Sequence, residues 1–127
     1  MEFWIFMMIV TLLMPLSMVI IGAYFRKRAP KRINYFYGYR TTMSMKNKDT
    51  WEFAHHYFGN LWVKWGLITL IITFIAMLVV LGKDDSTVGI LVVILIIIQS
   101  VPMIGAIIAT ERALREHFDK DGNRKMW

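Results

Sequence analysis

The chain has 127 residues, of which 57% are hydrophobic and 19% are charged, and its formal net charge is +6. Soluble domains average roughly 45–50% apolar and about 25% charged residues, so this composition is typical of a chain in contact with lipid. The segments between its apolar runs are too short to enclose a separate soluble enzyme domain, and the absence of cysteine excludes disulfides, thiolate nucleophiles and cysteine-based metal sites.

Three runs without a charged residue predict three transmembrane helices, at about residues 3–25, 65–82 and 88–110. A helix needs roughly 20 apolar residues to cross a bilayer. The first run exceeds the apolar core of a signal peptide, about 7–15 residues, and cations follow it, so we expect a retained anchor. The predicted fold class is an all-α integral membrane protein: a single membrane domain over residues 1–127, with three transmembrane helices and a cytoplasmic interfacial amphipathic helix.

The distribution of cationic side chains predicts the orientation. The first connection, residues 26–64, holds most of the Lys and Arg, whereas residues 83–87 form a short turn richer in Asp. Short cytoplasmic loops are enriched in Lys and Arg, so we expect the first connection and the tail at residues 111–127 in the cytoplasm, and the N-terminus and the turn outside. The excess positive charge lies beside lipid, so we expect no direct nucleic-acid binding. The cations after the first span are expected to contact lipid headgroups: Arg26, Lys27, Arg28, Lys31 and Arg32.

A few residues inside the spans are interpreted as sites of helix kinking and packing: Pro15, Gln99, Pro102, Gly105 and Ala109. The proline in the first span removes a backbone hydrogen bond, for which we expect Thr11 or Ser17 to compensate. The last two residues have the small-xxx-small spacing that lets a second helix approach closely. The alternative is a groove for a ligand or peptide at a bend in the third span.

No ionisable residue lies deep inside a span, which argues against a pump or a proton-coupled transporter.

After these cations, the first connection continues with an aromatic-rich stretch, residues 34–42, that we expect on the membrane surface. Within it, Gly38 permits a sharp turn or a positive φ, and Arg40 is suited to stack on a ring or to bind phosphates or carbonyls of lipid or protein. A helix is predicted over residues 49–64, with Asp49 as N-cap and Glu52 at N3. Its apolar stripe predicts that it lies in the membrane interface, with a bend towards the second span near Gly59 and Gly66.

Two histidines follow Glu52 closely enough to meet its carboxylate on one face of the predicted helix. The group Glu52, His55 and His56 is a weak candidate for a metal site, because helical metal sites recruit further carboxylates from other helices. We therefore expect no metal and no other cofactor, and a histidine hydrogen-bonded among aromatic side chains instead. No nucleophile or phosphate cradle accompanies these residues, so we expect no catalytic residue and no enzyme.

The run N-Y-F-Y-G-Y-R-T-T-M-S-M-K-N-K-D-T-W-E-F-A-H-H-Y-F-G, residues 34–59, resembles the signature of the SdpI family of bacterial membrane proteins. The pattern is an Asn, then Gly-x-Arg-Thr, a polar stretch with Asn, then Trp-x-x-Ala and a Gly before a hydrophobic span. His55 stands where the family most often has Asn. The matching positions are Asn34, Gly38, Arg40, Thr41, Asn47, Trp51, Ala54 and Gly59.

The resemblance implies a short member of that family, in the cytoplasmic membrane of a bacterium. It implies immunity to a secreted antimicrobial peptide toxin, with signalling in which a cytoplasmic transcriptional repressor is held at the membrane once toxin is present. On this reading Asn34 and Arg40 fix the inner turn, and Trp51 and His55 anchor the helix that follows. The partners are then membrane lipids, the toxin and the repressor, and a homo-oligomer is compatible with the sequence.

Two further classes compete with immunity. One is a small oligomeric transporter or channel component, in which Gln99 and Ser100 line a path. The other is an accessory subunit that packs against a larger membrane complex through Gly105, Ala109 and the methionine-rich first span, whose flexible thioethers suit adaptable contacts.

Overall fold

The computed structural model describes residues 1–34 and 38–125. It contains three helices: α1 at Glu2–Lys27, α2 at Lys48–Val79 and α3 at Asp85–His117. All three are long and apolar enough to cross a membrane. The prediction of an all-helical chain with three such helices is therefore confirmed. We call the end of the bundle with the α1–α2 connection and the tail the loop end, and the opposite end, with the α2–α3 turn, the turn end.

The separate interfacial helix predicted over residues 49–64 is not present, because these residues form the first half of one unbroken helix, α2. That helix has 32 residues and is about 48 Å long at 1.5 Å per residue, whereas a hydrocarbon core is roughly 30 Å thick. The uncharged run begins only at Trp65. About 18 Å of the helix, roughly 12 residues, exceeds that thickness, so the beginning of α2 extends beyond a single crossing, and Trp51, Ala54 and Phe58 of its apolar stripe are buried within the chain.

The first residues of α2 are fixed by a reciprocal cap. The side chain of Asn47 accepts a hydrogen bond from the Thr50 N–H at 2.9 Å, and the Thr50 hydroxyl accepts one from the Asn47 N–H at 3.1 Å. The N-cap is thus Asn47, and the expectation that Asp49 caps this helix is wrong. The physical reason is that this pair satisfies two backbone donors with one another's side chains.

Glycines bring the backbones of α1 and α2 into direct contact. A Cβ on Gly22 would lie 2.8 Å from the Gly59 carbonyl oxygen, and a Cβ on Gly59 would lie 2.7 Å from the Gly22 carbonyl oxygen. One on Gly66 would lie 2.9 Å from Val19 Cγ2. The helix continues through both positions at which a bend was expected, Gly59 and Gly66. Their missing side chains serve close packing instead.

A buried polar group joins all three helices halfway along the bundle. Gln99 Nε2 on α3 donates to the Thr11 carbonyl oxygen on α1 at 2.8 Å and to Thr73 Oγ1 on α2 at 2.9 Å. The Thr11 carbonyl is the one that Pro15, four residues later and without an N–H, leaves unbonded. The Thr11 and Ser17 hydroxyls, expected to compensate, donate to the carbonyls of Met7 and Leu13. The compensation comes from Gln99.

At the turn end, a cluster of buried apolar side chains packs between the three helices. Its buried members are Met77, Val80, Val88, Val92 and Leu95, with Phe3 and Trp4 packed against them. The indole Nε1 of Trp4 donates to the Met77 carbonyl oxygen at 2.8 Å. The start of α1 is thereby fixed beside the end of α2.

We expect Gly59→Ala to destabilise the protein by about 1–3 kcal/mol, because the added methyl must separate two backbones. Gly105→Ala is the matched control, since a Cβ there meets nothing within 4 Å, and it should be neutral or stabilising by at most about 1 kcal/mol. Thermal unfolding in mild detergent, followed by tryptophan fluorescence, measures both. Equal stability of the two variants would contradict the backbone contact.

Candidate functional site at the loop end

The α1–α2 connection folds back over the beginning of α2, and the tail after α3 packs beside it. The result is a compact layer in which aromatic and hydroxyl side chains are buried: Tyr39, Ser44, Thr50, Trp51, His55, Phe58 and Phe118. Ala54, also buried, contacts the same cluster, together with Ala106 and Leu114 of α3. The layer therefore connects α2, the connecting segment and the extension of α3.

His55 is fully buried and hydrogen-bonded through both ring nitrogens. Its Nε2 lies 2.8 Å from the Tyr39 backbone nitrogen, whose N–H donates to it. Since Nε2 accepts, the proton resides on Nδ1, which donates to the Trp51 carbonyl oxygen at 2.8 Å. The rings of Trp51 and Phe25 pack around it, with centroids 4.3 and 4.8 Å away. Burial lowers the pKa of His55, the hydrogen bond to Trp51 raises it, and nearby His56 lowers it.

The hydrogen bond between Tyr39 and His55 requires a glycine at position 38. Its φ is +102°, and a Cβ would lie 2.6 Å from His55 Nε2 and 3.2 Å from Pro30 Cγ. A side chain would therefore meet both left-handed backbone strain and a clash. The next residue extends the contact to α3, because the Tyr39 hydroxyl donates to the Ile107 carbonyl oxygen at 3.1 Å. The positive φ expected at Gly38 is present.

A hydroxyl network fixes the rest of the connecting segment. The Thr41 N–H donates to Ser44 Oγ at 2.9 Å, and the Ser44 N–H donates to Thr41 Oγ1 at 3.1 Å. Ser44 Oγ lies 3.0 Å from the Tyr39 carbonyl oxygen, and Thr50 Oγ1 donates to the Ser44 carbonyl oxygen at 3.0 Å. Each buried hydroxyl thus bonds to backbone that has no helix or strand to satisfy it.

Two further hydrogen bonds hold outlying segments to this layer. Trp51 Nε1 donates to the Pro30 carbonyl oxygen at 2.8 Å, and its side chain is buried. Asn47 Nδ2 donates to the Gly122 carbonyl oxygen at 2.6 Å, which places the tail against the start of α2. The tail turn is itself closed by Asp119 Oδ1, which accepts from the backbone of Asp121 and Asn123.

The structure brings together many residues that the sequence singled out and leaves others at the periphery. Gly38, Thr41, Asn47, Trp51, Ala54 and His55 lie in the layer, whereas Gly59 belongs to the contact with α1. Asn34 Nδ2 donates to the Arg32 carbonyl oxygen at 3.0 Å, and Arg40 is exposed beside Thr41, Thr42 and Met45. The expected headgroup cations, Arg26, Lys27, Arg28, Lys31 and Arg32, are all exposed. The aromatic residues 35–37 lie outside the described residues.

The weak metal candidate is not assembled. Both nitrogens of His55 are occupied by backbone, while Glu52 and His56 are exposed side chains. Within residues 1–34 and 38–125, no group of three histidine or carboxylate side chains is placed to hold a metal ion.

Four buried aromatic or hydroxyl residues of the layer were not singled out from the sequence: Tyr39, Ser44, Thr50 and Phe118. The spacing Thr41-x-x-Ser44 is typical of a turn in which hydroxyl side chains bond the backbone. This pattern could have predicted the role of Ser44. No comparable local signal marks Phe118, whose partners come from distant parts of the chain.

A model of the SdpI/YfhL protein family matches residues 31–110. These residues include the signature run, the second helix and most of the third, so the resemblance noted in residues 34–59 is confirmed. No curated protein and no solved structure matches the chain.

We expect the stability of the loop end to fall as pH decreases below about 6.5, the ordinary histidine pKa. A lowered pKa in the folded state means that the unfolded chain binds the proton first, so the contribution of neutral His55 is present above that pH and is lost below it. The loss is at most about 1.4 kcal/mol per pH unit. Thermal unfolding in detergent, repeated at several values between about pH 8 and about pH 5, measures this loss of stability.

His55→Gln removes the titration and keeps an acceptor and a donor, so its stability should vary less with pH than that of the wild type. His56→Gln is the control at an exposed neighbouring position and should retain the wild-type dependence. The same pH dependence in all three proteins would contradict the assignment of a neutral, buried His55.

Proposed function

The chain belongs to the SdpI/YfhL protein family, and from this premise we propose that it is a bacterial membrane protein giving immunity to a secreted antimicrobial peptide toxin. The observation that carries the proposal is the signature run. Its residues form the buried loop-end layer around His55 and not an exposed linker between helices. The family is not an enzyme family as such, and a non-enzymatic role is proposed.

The proposed placement is the bacterial cytoplasmic membrane, with the loop end in the cytoplasm and the turn end outside. It is supported by the exposed cations at the end of α1, which suit a leaflet with anionic headgroups. In this orientation the toxin reaches the bundle from the side opposite to the signature layer. Protection then requires either binding among the spans or a change transmitted to the layer.

A signalling role is proposed as a second activity of the same layer. Arg40, Thr41, Thr42 and Met45 line an exposed cleft of about 580 Å³ at the loop end. A cytoplasmic repressor is proposed to dock on this face when toxin is bound. Arg40 suits that role because its guanidinium offers several donors in a fixed planar arrangement.

The alternative class, an oligomeric transporter or channel component, depended on Gln99 and Ser100 lining a path between subunits. Both hydrogens of the Gln99 amide bond within this chain, and Ser100 Oγ donates to the Ile96 carbonyl oxygen of its own helix. These bonds favour immunity or an accessory role over a pore lined by these residues.

Survival of toxin-sensitive bacteria challenged with an SDP-type antimicrobial peptide tests the immunity proposal. Wild-type protein should protect at membrane levels at which Gly38→Ala and Trp51→Ala protect poorly, because both substitutions disrupt the layer. Gly82→Ala is the matched control, since Gly82 also has a positive φ but nothing within 4 Å of a Cβ. No protection by the wild type at any dose would reject immunity to these peptides.

The signalling proposal predicts relocation of a fluorescently tagged repressor encoded with an SDP-type toxin. Addition of the peptide should move it to the membrane in cells with the wild-type protein and leave it in the cytoplasm in cells with Arg40→Ala. Lys48→Ala, which removes an exposed cation outside the cleft, is the control and should behave like the wild type. Relocation with Arg40→Ala would place the repressor elsewhere.

A further inference from the structure

An apolar groove of about 510 Å³ runs between α2 and α3, and we call it the α2–α3 groove. Trp65, Ile68 and Thr73 line it from α2, and Ile98, Gln99 and Gly105 line it from α3. It is distinct from the loop-end layer but touches it, because Ala106 and Leu61 belong to the groove wall and also contact the layer's apolar cluster. An occupant of the groove would therefore be in direct contact with the layer.

The groove contains unsatisfied hydrogen-bond acceptors. Gln99 is only 1% exposed, and its Oε1 accepts no hydrogen bond from the described part of the chain, although both amide hydrogens are used. Among the described residues, the side-chain atoms that are both enclosed and unpartnered are Trp62 Nε1 and Glu111 Oε2, and neither residue lines the groove. Gln99 Oε1 is unpartnered but is not one of these enclosed atoms, so it keeps access to the groove that Gln99 lines.

A second acceptor comes from the backbone. Pro102 has no N–H and cannot donate to the Ile98 carbonyl, its partner in a regular helix. Both residues line the groove, and no described side chain donates to this carbonyl. In α1 the equivalent loss at Pro15 is compensated by Gln99. The Ile98 carbonyl has no such side-chain donor among the described residues, and a donor from outside the chain would satisfy it.

The position of these acceptors in the middle of the membrane span limits which kinds of molecule can occupy the groove. Gln99 lies at the centre of the uncharged run 88–110, where lipid acyl chains carry no hydrogen-bond donor and an unpaired polar group is costly. A two-fold related copy of this chain is equally unsuited, since an isologous contact places identical surfaces together and would set acceptor against acceptor. A helix with an amide, hydroxyl or indole donor satisfies the requirement.

The shape of the wall also suits a helix. A Cβ on Gly105 would meet nothing within 4 Å, so this glycine is not used for packing inside the chain, unlike Gly22 and Gly59. Gly105 and Ala109 both line the groove, and a small-residue wall lets a second helix backbone come close.

We propose that the α2–α3 groove binds an apolar, membrane-inserted peptide helix that carries a hydrogen-bond donor side chain near the middle of the membrane. Gln99 Oε1 and the Ile98 carbonyl accept from it, and Gly105 admits its backbone. The identity of the natural peptide as the toxin rests on the proposed function, whereas the binding itself does not.

The experiment uses the full chain in lipid nanodiscs, with a donor dye on Lys120→Cys, an exposed position in a sequence without cysteine. The probes are two membrane-spanning Leu/Ala helices with lysine ends and an acceptor dye, one with a central Gln and one with a central Met of similar size. Energy transfer should show saturable binding, about three- to tenfold tighter for the Gln peptide. Equal binding of the two peptides, or no saturable binding of either, would overturn the proposal.

Gly105→Leu fills the groove and should weaken binding of the Gln peptide at least about tenfold. Gly89→Leu is the matched control on the same helix, where the nearest atom to a Cβ is Phe3 Cζ at 4.0 Å, and it should bind like the wild type. Unchanged binding by Gly105→Leu would overturn the proposal. So would efficient disulfide dimerisation of Gly105→Cys in dilute lipid, which would assign the groove to a second copy.

The two proposals fail separately. Binding of the Gln peptide without protection of cells would reject immunity and leave the groove assignment intact. Protection that persists in Gly105→Leu would place the toxin elsewhere and reject the groove as its site, while immunity itself would stand.

Discussion

The hydrogen bond from Gln99 to the Thr11 carbonyl is the interaction that organises the bundle. Helices in lipid have no water to satisfy a backbone group, so the carbonyl left unbonded by Pro15 needs a donor from elsewhere in the protein. Gln99 supplies it and also bonds Thr73, so one side chain links all three helices at the same depth. The close packing of Gly22 and Gly59 fixes α1 against α2, and this polar contact at mid-depth adds α3 to the same register.

The loop-end layer applies the same rule outside the spans. The connecting segment has no helix or strand of its own, and its buried backbone is satisfied by the imidazole of His55 and by the hydroxyls of Ser44 and Thr50. A signature rich in such residues is thus explained by the need to hold irregular backbone in one conformation. The surface that results presents Arg40 at an exposed cleft.

Sequence reasoning reached the number of helices and singled out most of the signature residues that lie in the loop-end layer, because hydropathy, charge and motif spacing are local properties. It failed where a partner is distant in the chain. Asp49 is as good a cap as Asn47 in isolation, and only the reciprocal bond with Thr50 distinguishes them. Gly59 resembles a bend until Gly22 is placed against it. His55 resembles a metal ligand until Tyr39 and Trp51 occupy both nitrogens.

The glycine contact between α1 and α2 also determines how the molecule can deform. The backbones of α1 and α2 are already in contact at Gly22 and Gly59 and leave no space between them, so a guest that enters the bundle beside α2 is accommodated on the side of α3. Gly82, with a φ of +83° and no neighbour within 4 Å of a Cβ, is the natural pivot at the turn end. The far end of α3 carries Leu114, buried in the loop-end cluster, with Phe118 just beyond it. A rotation of α3 about Gly82 would therefore move Leu114 and Phe118, the residues by which α3 and the tail contact the signature layer.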